Sequence, residues 1–283
     1  AYRRQRQMCI RDSKYAVQIR NPEDIVEELN KAYHIATTGR RGPVLIDLPM
    51  NIQRSEVENP VYDMTFEDKH TDAAAAQQAA DTILEALEQA KRPVIMLGHG
   101  VDSSFSQQKL IRFAQKRQIP IITSVLAKSV LGYDHPLNFG CIGGAYGHRY
   151  ANMIANAKSD LLLCFGISLC TRQIGTKVHE FARGAKIIRI DIDPYNLQRD
   201  IHENGINEVK LQAETGAVID CLAKAAAPDT EGISDWLNVC TEIKENLQAV
   251  DDATPERYPN RMIADLSDCL LYTSPSPRDL STS

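Results

Sequence analysis

Short apolar runs alternate with amphipathic segments from residue 72 to residue 227. The apolar runs predict strands at 93–97, 119–124, 160–166, 186–192 and, more weakly, 208–211. The segments between them predict helices at 72–91, 104–117, 149–158, about 174–183 and 213–226. Continuously apolar strands separated by helices are typical of a parallel sheet that is buried on both faces. The pattern therefore predicts an α/β fold, a doubly wound Rossmann-like parallel sheet with helices on both faces.

The segment at 14–57 has a different pattern. Asn21 and Pro22 predict the start of a helix, Gly39 predicts its end, and an apolar strand follows at 43–49. One helix and one strand cannot bury a core of their own. We therefore expect 14–57 to be the carboxyl-terminal end of another domain, and the polar, proline-containing stretch at 58–71 to be a linker.

The two ends of the chain differ from the rest. Residues 1–13 are basic without periodicity, and 269–283 are rich in Ser, Pro and Thr. We expect either disordered tails or non-native sequence, because both strings resemble translated sequencing-adapter DNA. Residues 228–268 predict a linker helix around Trp236 and the beginning of a further domain that is then interrupted.

Composition narrows the partners. The formal net charge of −5 argues against a nucleic-acid partner, which requires a concentrated basic face. No apolar run reaches the roughly 18 residues of a membrane span, so we expect no membrane partner. The 7 cysteines form no CxxC pair, which favours structural thiols and a cytoplasmic location.

Candidate binding residues follow the predicted strands, because ligands of such sheets bind at the carboxyl ends of the strands. Gly98 and Gly100 follow the first strand, where glycines allow a phosphate to approach the backbone, or simply make a tight turn. Thr123 and Ser124 end the second strand. Their hydroxyls could bind a phosphate or a ribose, or could cap the strand end.

The later loops carry further candidates. Gly143 and Gly144 lie in a glycine-rich loop at 140–147 that contacts either a cofactor or another part of the protein. Gly166 and Arg172 follow the third strand, and Arg172 either forms a bidentate fork with a phosphate or makes a surface salt bridge.

Asp191 and Asp193 end the fourth strand, before Pro194. One of them could accept from a ribose hydroxyl, and the alternative is a turn and a helix cap. No nucleophile–base pair, zinc motif or Walker loop is present in the sequence, so we assign no catalytic residue and no metal ligand.

Taken together, the motifs resemble the thiamine-diphosphate enzyme family, most closely the acetolactate synthase large subunit type. GRRGPVLIDLPMNIQ resembles the end of that family's pyrimidine-binding domain. Four further strings resemble segments of the family's central domain and occur in the same order. They are RPVIMLGHGV, HPLNFGCIGGAYGHRYAN, SDLLLCFGISLCTRQIG and AKIIRIDIDP. The resemblance implies a central domain at 72–227.

The resemblance implies decarboxylation of pyruvate and carboligation to a second 2-keto acid in branched-chain amino acid biosynthesis. It implies thiamine diphosphate and Mg2+ in the full-length enzyme, and a homodimer or homotetramer. The family's catalytic glutamate and metal motif would lie outside 14–268. We therefore expect this chain alone to be inactive and to bind no metal.

The resemblance leaves FAD in the central domain open. Flavin-binding relatives carry GAR-F-DD-R, where this chain has Ser168, Cys170, Thr171 and, as the retained arginine, Arg172. Two other functions also stay open at this point. One is another thiamine-diphosphate-dependent 2-keto acid decarboxylase or lyase, and the other is a non-enzymatic nucleotide- or flavin-binding module.

Overall fold

The computed structural model describes residues 13–57, 72–101, 104–144, 146–225, 231–252, 262–263 and 265–266. The expected linker at 58–71, the terminal segments at 1–12 and 269–283, and most of the expected further domain therefore lie outside the described residues. The strands are β1 (Tyr15–Gln18), β2 (Val44–Asp47), β3 (Pro93–Leu97), β4 (Ile121–Thr123), β5 (Asn138–Cys141), β6 (Leu161–Phe165), β7 (Lys186–Asp191) and β8 (Glu208–Gln212).

The helices alternate with these strands. They are α1 (Ile25–Thr37), α2 (Met50–Gln53), α3 (Ala73–Gln89), α4 (Ser104–Arg117), α5 (Arg149–Met153), α6 (Thr171–Ile174), α7 (Pro194–Gln198), α8 (Thr215–Lys224) and α9 (Glu231–Asp252). Single 3-10 turns lie at Pro22–Asp24, Val125–Val130, Val178–Glu180 and Glu203–Gly205, and a π-helical turn extends α5 over Ile154–Lys158. Among the described residues, none of the helices combines the length and apolarity that crossing a bilayer requires.

The six-stranded sheet is parallel throughout, in the order β5-β4-β3-β6-β7-β8. Its central strands β3 and β6 pair residue for residue, from Pro93 opposite Leu161 to Leu97 opposite Phe165. The carboxylate of Asp160 fixes this register by accepting from the backbone N–H groups of Lys91 and Arg92, both at 2.9 Å. Strand order reverses between β3 and β6, which confirms the predicted doubly wound sheet.

Helices cover both faces of the sheet. One face packs against α3, α4 and α8, and the other against α5, the π-helical turn and α9. All five residues of β3 and of β6 are buried. Each buried aliphatic side chain contributes about 1.5–3 kcal/mol to the free energy of folding. The sheet is therefore stabilised by two hydrophobic cores, one on each face. The indole of Trp236 anchors α9 by donating to the Pro93 carbonyl at 3.0 Å.

Helix α3 illustrates how the sequence specifies these elements. Alanine-rich sequence favours the helix, and Asp72 caps it by accepting from the N–H groups of Ala74 and Ala75 at 3.0 and 3.1 Å. Its buried positions recur on one face, at Ala76, Ala79, Ala80, Ile83, Ala86 and Leu87. The amphipathic pattern predicted at 72–91 is therefore the face that packs on the sheet.

The segment at 13–57 forms a small unit of its own. Strands β1 and β2 pair in parallel, and α1 packs on them. The ammonium of Lys14 donates to the carbonyl of Thr38 at 2.8 Å and to that of Ile35, so it supplies a cation to the carboxyl end of α1.

The structure differs from the sequence prediction in several elements. The helix predicted near 174–183 is two separate turns, α6 and the turn at Val178–Glu180, because Gly175 at φ +88° ends α6. Strands β1 and β5 were not predicted, since a strand such as NFGC lacks a continuous apolar run. The remaining predicted strands of the sheet are present.

Candidate functional site

The loops after β3 and β6 meet where the strand order reverses. Gly98 donates its N–H to the carbonyl of Phe165, and Gly100 donates to that of Gly166, both at 2.9 Å. A Cβ on Gly98 would overlap the Gly166 carbonyl and lie 2.6 Å from Ile167 Cα. Gly166 itself has φ +55°, a conformation that glycine adopts readily. These glycines therefore allow the two loops to contact each other directly.

A cleft of about 890 Å³ lies over this contact, at the carboxyl edge of the sheet. Its walls come from the unit at 13–57 and from the loops and helix ends of the sheet domain. The lining residues are Lys14, His34, Ile35, Thr37, Thr38, Gly39, Arg41, Asp72, Ala75, Gly100, Val101, Ser106, Gly166, Asp191, Ile192, Gln212, Ala213, Glu214, Thr215 and Gly216. This volume lies within the range of cofactor and ligand sites.

The amino-terminal ends of three long helices reach this cleft. They are the ends of α3 at Asp72 and Ala75, of α4 at Ser106, and of α8 at Thr215 and Gly216. First-turn N–H groups have no partner within their own helix, and the helix dipole adds partial positive charge there. In α3 the carboxylate of Asp72 already accepts from the N–H groups of Ala74 and Ala75, so the amino ends of α4 and α8 are the ones considered for a ligand. Lys14 and Arg41 add formal positive charge to the opposite wall. The cleft is therefore suited to an anionic group such as a phosphate.

Acidic side chains provide acceptors in the same cleft. Asp191, at the end of β7, lies in the wall with one carboxylate oxygen accepting from the N–H of Asp193 at 2.9 Å. Asp193 caps α7 by accepting from the N–H of Tyr195 at 2.9 Å and pairs with Arg40. Of the two aspartates predicted to end this strand, Asp191 therefore lines the cleft and Asp193 makes the cap and the ion pair.

Thr123 and Ser124, also predicted to bind a ligand, lie inside the domain. Both residues are 3% exposed, and the Thr123 hydroxyl donates to the carbonyl of Gly140 at 3.2 Å. The N–H of Ser124 donates to the Leu97 carbonyl at 2.8 Å, which joins β4 to the end of β3. Neither residue lines the cleft.

Gly143, Gly144 and Arg172 form a second group, away from the cleft lining. The N–H of Gly144 donates to the backbone carbonyl of Arg172 at 3.3 Å, and Asn152 exchanges two hydrogen bonds with Gly143 at 2.8 and 3.2 Å. The glycine loop therefore contacts another part of the chain. The side chain of His148 fixes the base of this loop by accepting from the N–H of Cys141 at 3.0 Å.

Burial makes the described cysteines near the sheet poor nucleophiles. Burial raises the pKa of Cys164 to about 12 and also raises the pKa of Cys141. Both thiols therefore remain protonated at neutral pH. Within the part of the chain that the structure describes, no cluster of three or more His, Cys, Asp or Glu side chains could hold a metal ion.

Sequence reasoning missed several residues of the cleft. Ser106, Thr215 and Gly216 belong to helix amino termini that point to the carboxyl edge of the sheet. The helix starts were predicted, so a search of each start for anion-binding groups would have found these residues. Lys14, His34 and Arg41 could not be found in this way, because no sequence pattern shows that the unit at 13–57 packs over the sheet edge.

Comparison with known proteins identifies the family of the chain. The model of the family "Thiamine pyrophosphate enzyme, central domain" matches residues 80–222, which include β3 to β8 and most of the helices around them. A probable acetolactate synthase large subunit of Methanocaldococcus jannaschii is 32% identical over 268 residues, 91% of this chain and 44% of that protein. The chain belongs to the thiamine pyrophosphate enzyme family.

Two further relatives are similar to large parts of the chain. The acetolactate synthase large subunit of Corynebacterium glutamicum is 31% identical over 246 residues, 86% of this chain and 38% of that protein. Glyoxylate carboligase of Escherichia coli O157:H7 is 35% identical over 195 residues, 66% of this chain and 31% of that protein. The chain thus spans less than half the length of these relatives. The cleft lies between the central domain, which supplies most of its lining, and the unit at 13–57.

Proposed function

We propose that the whole protein is a thiamine-diphosphate-dependent carboligase of the acetolactate synthase type. It would decarboxylate pyruvate and add the resulting two-carbon unit to a second 2-keto acid. The similarity to a probable acetolactate synthase large subunit along 91% of the chain carries this proposal. Thiamine diphosphate, held by Mg2+, would be the electron sink of the reaction. No described residue of this chain is assigned to the metal.

A second activity is favoured by one observation. Of the relatives described above, glyoxylate carboligase has the highest identity, 35%, although over a shorter stretch. That name implies a carboligase whose keto acid is glyoxylate.

The activity is tested by expressing the complete gene and supplying pyruvate or glyoxylate with thiamine diphosphate and Mg2+. We expect acetolactate from pyruvate, measured as acetoin after acid treatment, and no product when thiamine diphosphate is omitted. Product from glyoxylate alone would identify the second activity. Release of CO2 with acetaldehyde as the sole product would indicate a decarboxylase instead. Absence of both products and of thiamine diphosphate binding would contradict the proposal.

We also propose that the cleft binds a nucleotide cofactor, with FAD as the candidate that the family resemblance implies. The amino termini of α4 and α8 and the cations of Lys14 and Arg41 fit a diphosphate, and Asp191 fits a ribose hydroxyl. Gly100 and Gly166 supply a floor without side chains. When bound, FAD would have a structural role. Ser168 and Arg172, at positions of the flavin motif, do not line the cleft, so the fit is argued for the ADP part of FAD.

Titration of this chain with ADP and FAD tests the cleft. Ser106→Glu would place a negative charge at the amino end of α4 inside the cleft, and a phosphate there would be repelled. At an effective dielectric constant of about 20, a like charge about 8–10 Å away weakens binding by roughly ten-fold or more. Gln108→Glu is the matched control, because Gln108 is exposed on the same helix and outside the cleft.

Calorimetry measures both affinities. We expect the Ser106→Glu variant to lose affinity for ADP and FAD alike, while the Gln108→Glu variant binds as the unchanged chain does. Equal affinities for all three proteins would contradict a phosphate site in this cleft.

We further propose a cytoplasmic homodimer or homotetramer for the whole protein. Large apolar side chains on the unit at 13–57 support an interface, since Leu29, Tyr33 and Met50 are 49%, 73% and 65% exposed. Burial of these side chains against a partner would remove an apolar surface from water.

A further inference from the structure

We propose that Asn196 is a positioning residue, which orients the carboxylate of Asp191 to accept from a ribose hydroxyl in the cleft. This inference rests on the proposed nucleotide function of the cleft. It adds to that function the residue that orients the acceptor of the ribose hydroxyl. Asn196 lies in α7, behind the cleft wall, and does not line the cleft itself.

The carboxylate of Asp191 is held at both oxygens. Oδ1 accepts from the backbone N–H of Asp193 at 2.9 Å, and Oδ2 accepts from Nδ2 of Asn196 at 3.2 Å. A carboxylate offers about four lone-pair directions, so each oxygen retains capacity for one further donor. Because both oxygens are tethered, the remaining lone pairs have a fixed direction. A ligand hydroxyl then binds without first ordering the carboxylate.

The position of Asn196 is in turn fixed from the core. Its backbone carbonyl accepts from the guanidinium of Arg189, a β7 residue that is only 2% exposed. The same guanidinium pairs with the fully buried carboxylate of Glu208 at 2.7 Å. The chain of contacts therefore runs from a buried ion pair through Asn196 to the cleft wall.

Asp193 does not compete for this role. Its Oδ1 accepts from the N–H of Tyr195 at 2.9 Å, and its Oδ2 pairs with Arg40. Both oxygens of Asp193 thus already serve the helix cap and the ion pair. Asp191 lines the cleft and Asp193 does not, so Asp191 is the acidic group at the end of β7 whose remaining acceptor capacity serves a ligand there.

The experiment compares ADP with 2′,3′-dideoxy-ADP, which lacks the ribose hydroxyls, as ligands of the 283-residue chain. One hydrogen bond to a charged, well-placed carboxylate corresponds to a preference of roughly ten-fold or more for ADP. In the Asn196→Ala variant, we expect this preference to fall to near one. The matched control is Gln198→Ala, which removes an exposed amide from the same helix. Thermal unfolding of each variant checks that the fold is retained.

A preference that survives in Asn196→Ala would overturn the positioning role, even if overall affinity fell. A double-mutant cycle with Asp191→Asn adds an independent measurement. We expect Asn196→Ala to have little further effect on the ADP preference once Asp191 is replaced, because both act on one hydrogen bond. Equal binding of both nucleotides by the unchanged chain would overturn the inference while the nucleotide cleft stands. Binding of neither nucleotide would overturn the cleft proposal as well.

Discussion

Replacing Glu208 by glutamine is expected to destabilise the sheet domain by about 3 kcal/mol. Glu208 and Arg189 form an ion pair at 2.7 Å, with side chains that are 0% and 2% exposed. Glutamine keeps the shape of the side chain and removes its charge. The guanidinium would then remain in the interior without a counter-charge, and its Nε already lacks a hydrogen-bond partner.

Urea unfolding measures this effect. The intrinsic fluorescence of Trp236, the single tryptophan of the chain, reports on the domain because the residue is 4% exposed within the core. The matched control is Glu180→Gln, which breaks an exposed pair with Lys177 whose side chains are 59% and 78% exposed. That change should cost less than about 0.5 kcal/mol. Similar losses in the two variants would show that burial does not govern the pair.

Replacing both partners tests the origin of the loss. An apolar pair such as Arg189→Met with Glu208→Leu removes the buried charges together, which often restores stability. Here we expect only partial recovery. Arg189 also donates to the carbonyl of Arg199 at 2.7 Å, and Glu208 accepts from the N–H of Ile201 at 2.9 Å. Both backbone groups would lose these partners, and Ile201 is a buried residue.

The sheet could be predicted because its strands carry their own pattern. The runs at β3 and β6 are apolar along their whole length, which in a parallel sheet reflects burial on both faces. Strand β5 was missed because Asn138 and Gly140 interrupt its apolar positions. β5 forms because it pairs with the neighbouring strand β4. A local sequence pattern does not show which strand lies beside a segment.

The candidate site could be predicted only in part. The sequence indicated that loops at strand ends would gather at one edge, and Gly100, Gly166 and Asp191 do line one cleft. It did not show that Gly98 serves the contact between two loops, or that Arg189 within a strand pairs with Glu208. Both depend on which strands are neighbours, and neighbours are set by the topology of the whole sheet.

Gly98→Ala is the second change for which we expect a large effect, a loss of about 3 kcal/mol in the free energy of unfolding. The added methyl group would overlap the carbonyl of Gly166 and lie 2.6 Å from Ile167 Cα. These are backbone atoms of a paired strand end, so they cannot move aside as a flexible side chain could. The loops after β3 and β6 would have to separate, and the N–H of Gly98 would lose its bond to Phe165.

Gly132→Ala is the matched control, because a Cβ at Gly132 meets no atom within 4 Å. Alanine there should leave stability unchanged or raise it by up to about 1 kcal/mol, since it restricts the unfolded chain. Urea unfolding followed by Trp236 fluorescence compares the two variants. Because the displaced loops form the floor of the cleft, Gly98→Ala should also weaken ADP binding in the fraction that remains folded. A Gly98→Ala variant as stable as Gly132→Ala would contradict the close packing of the two loops on which the cleft is built.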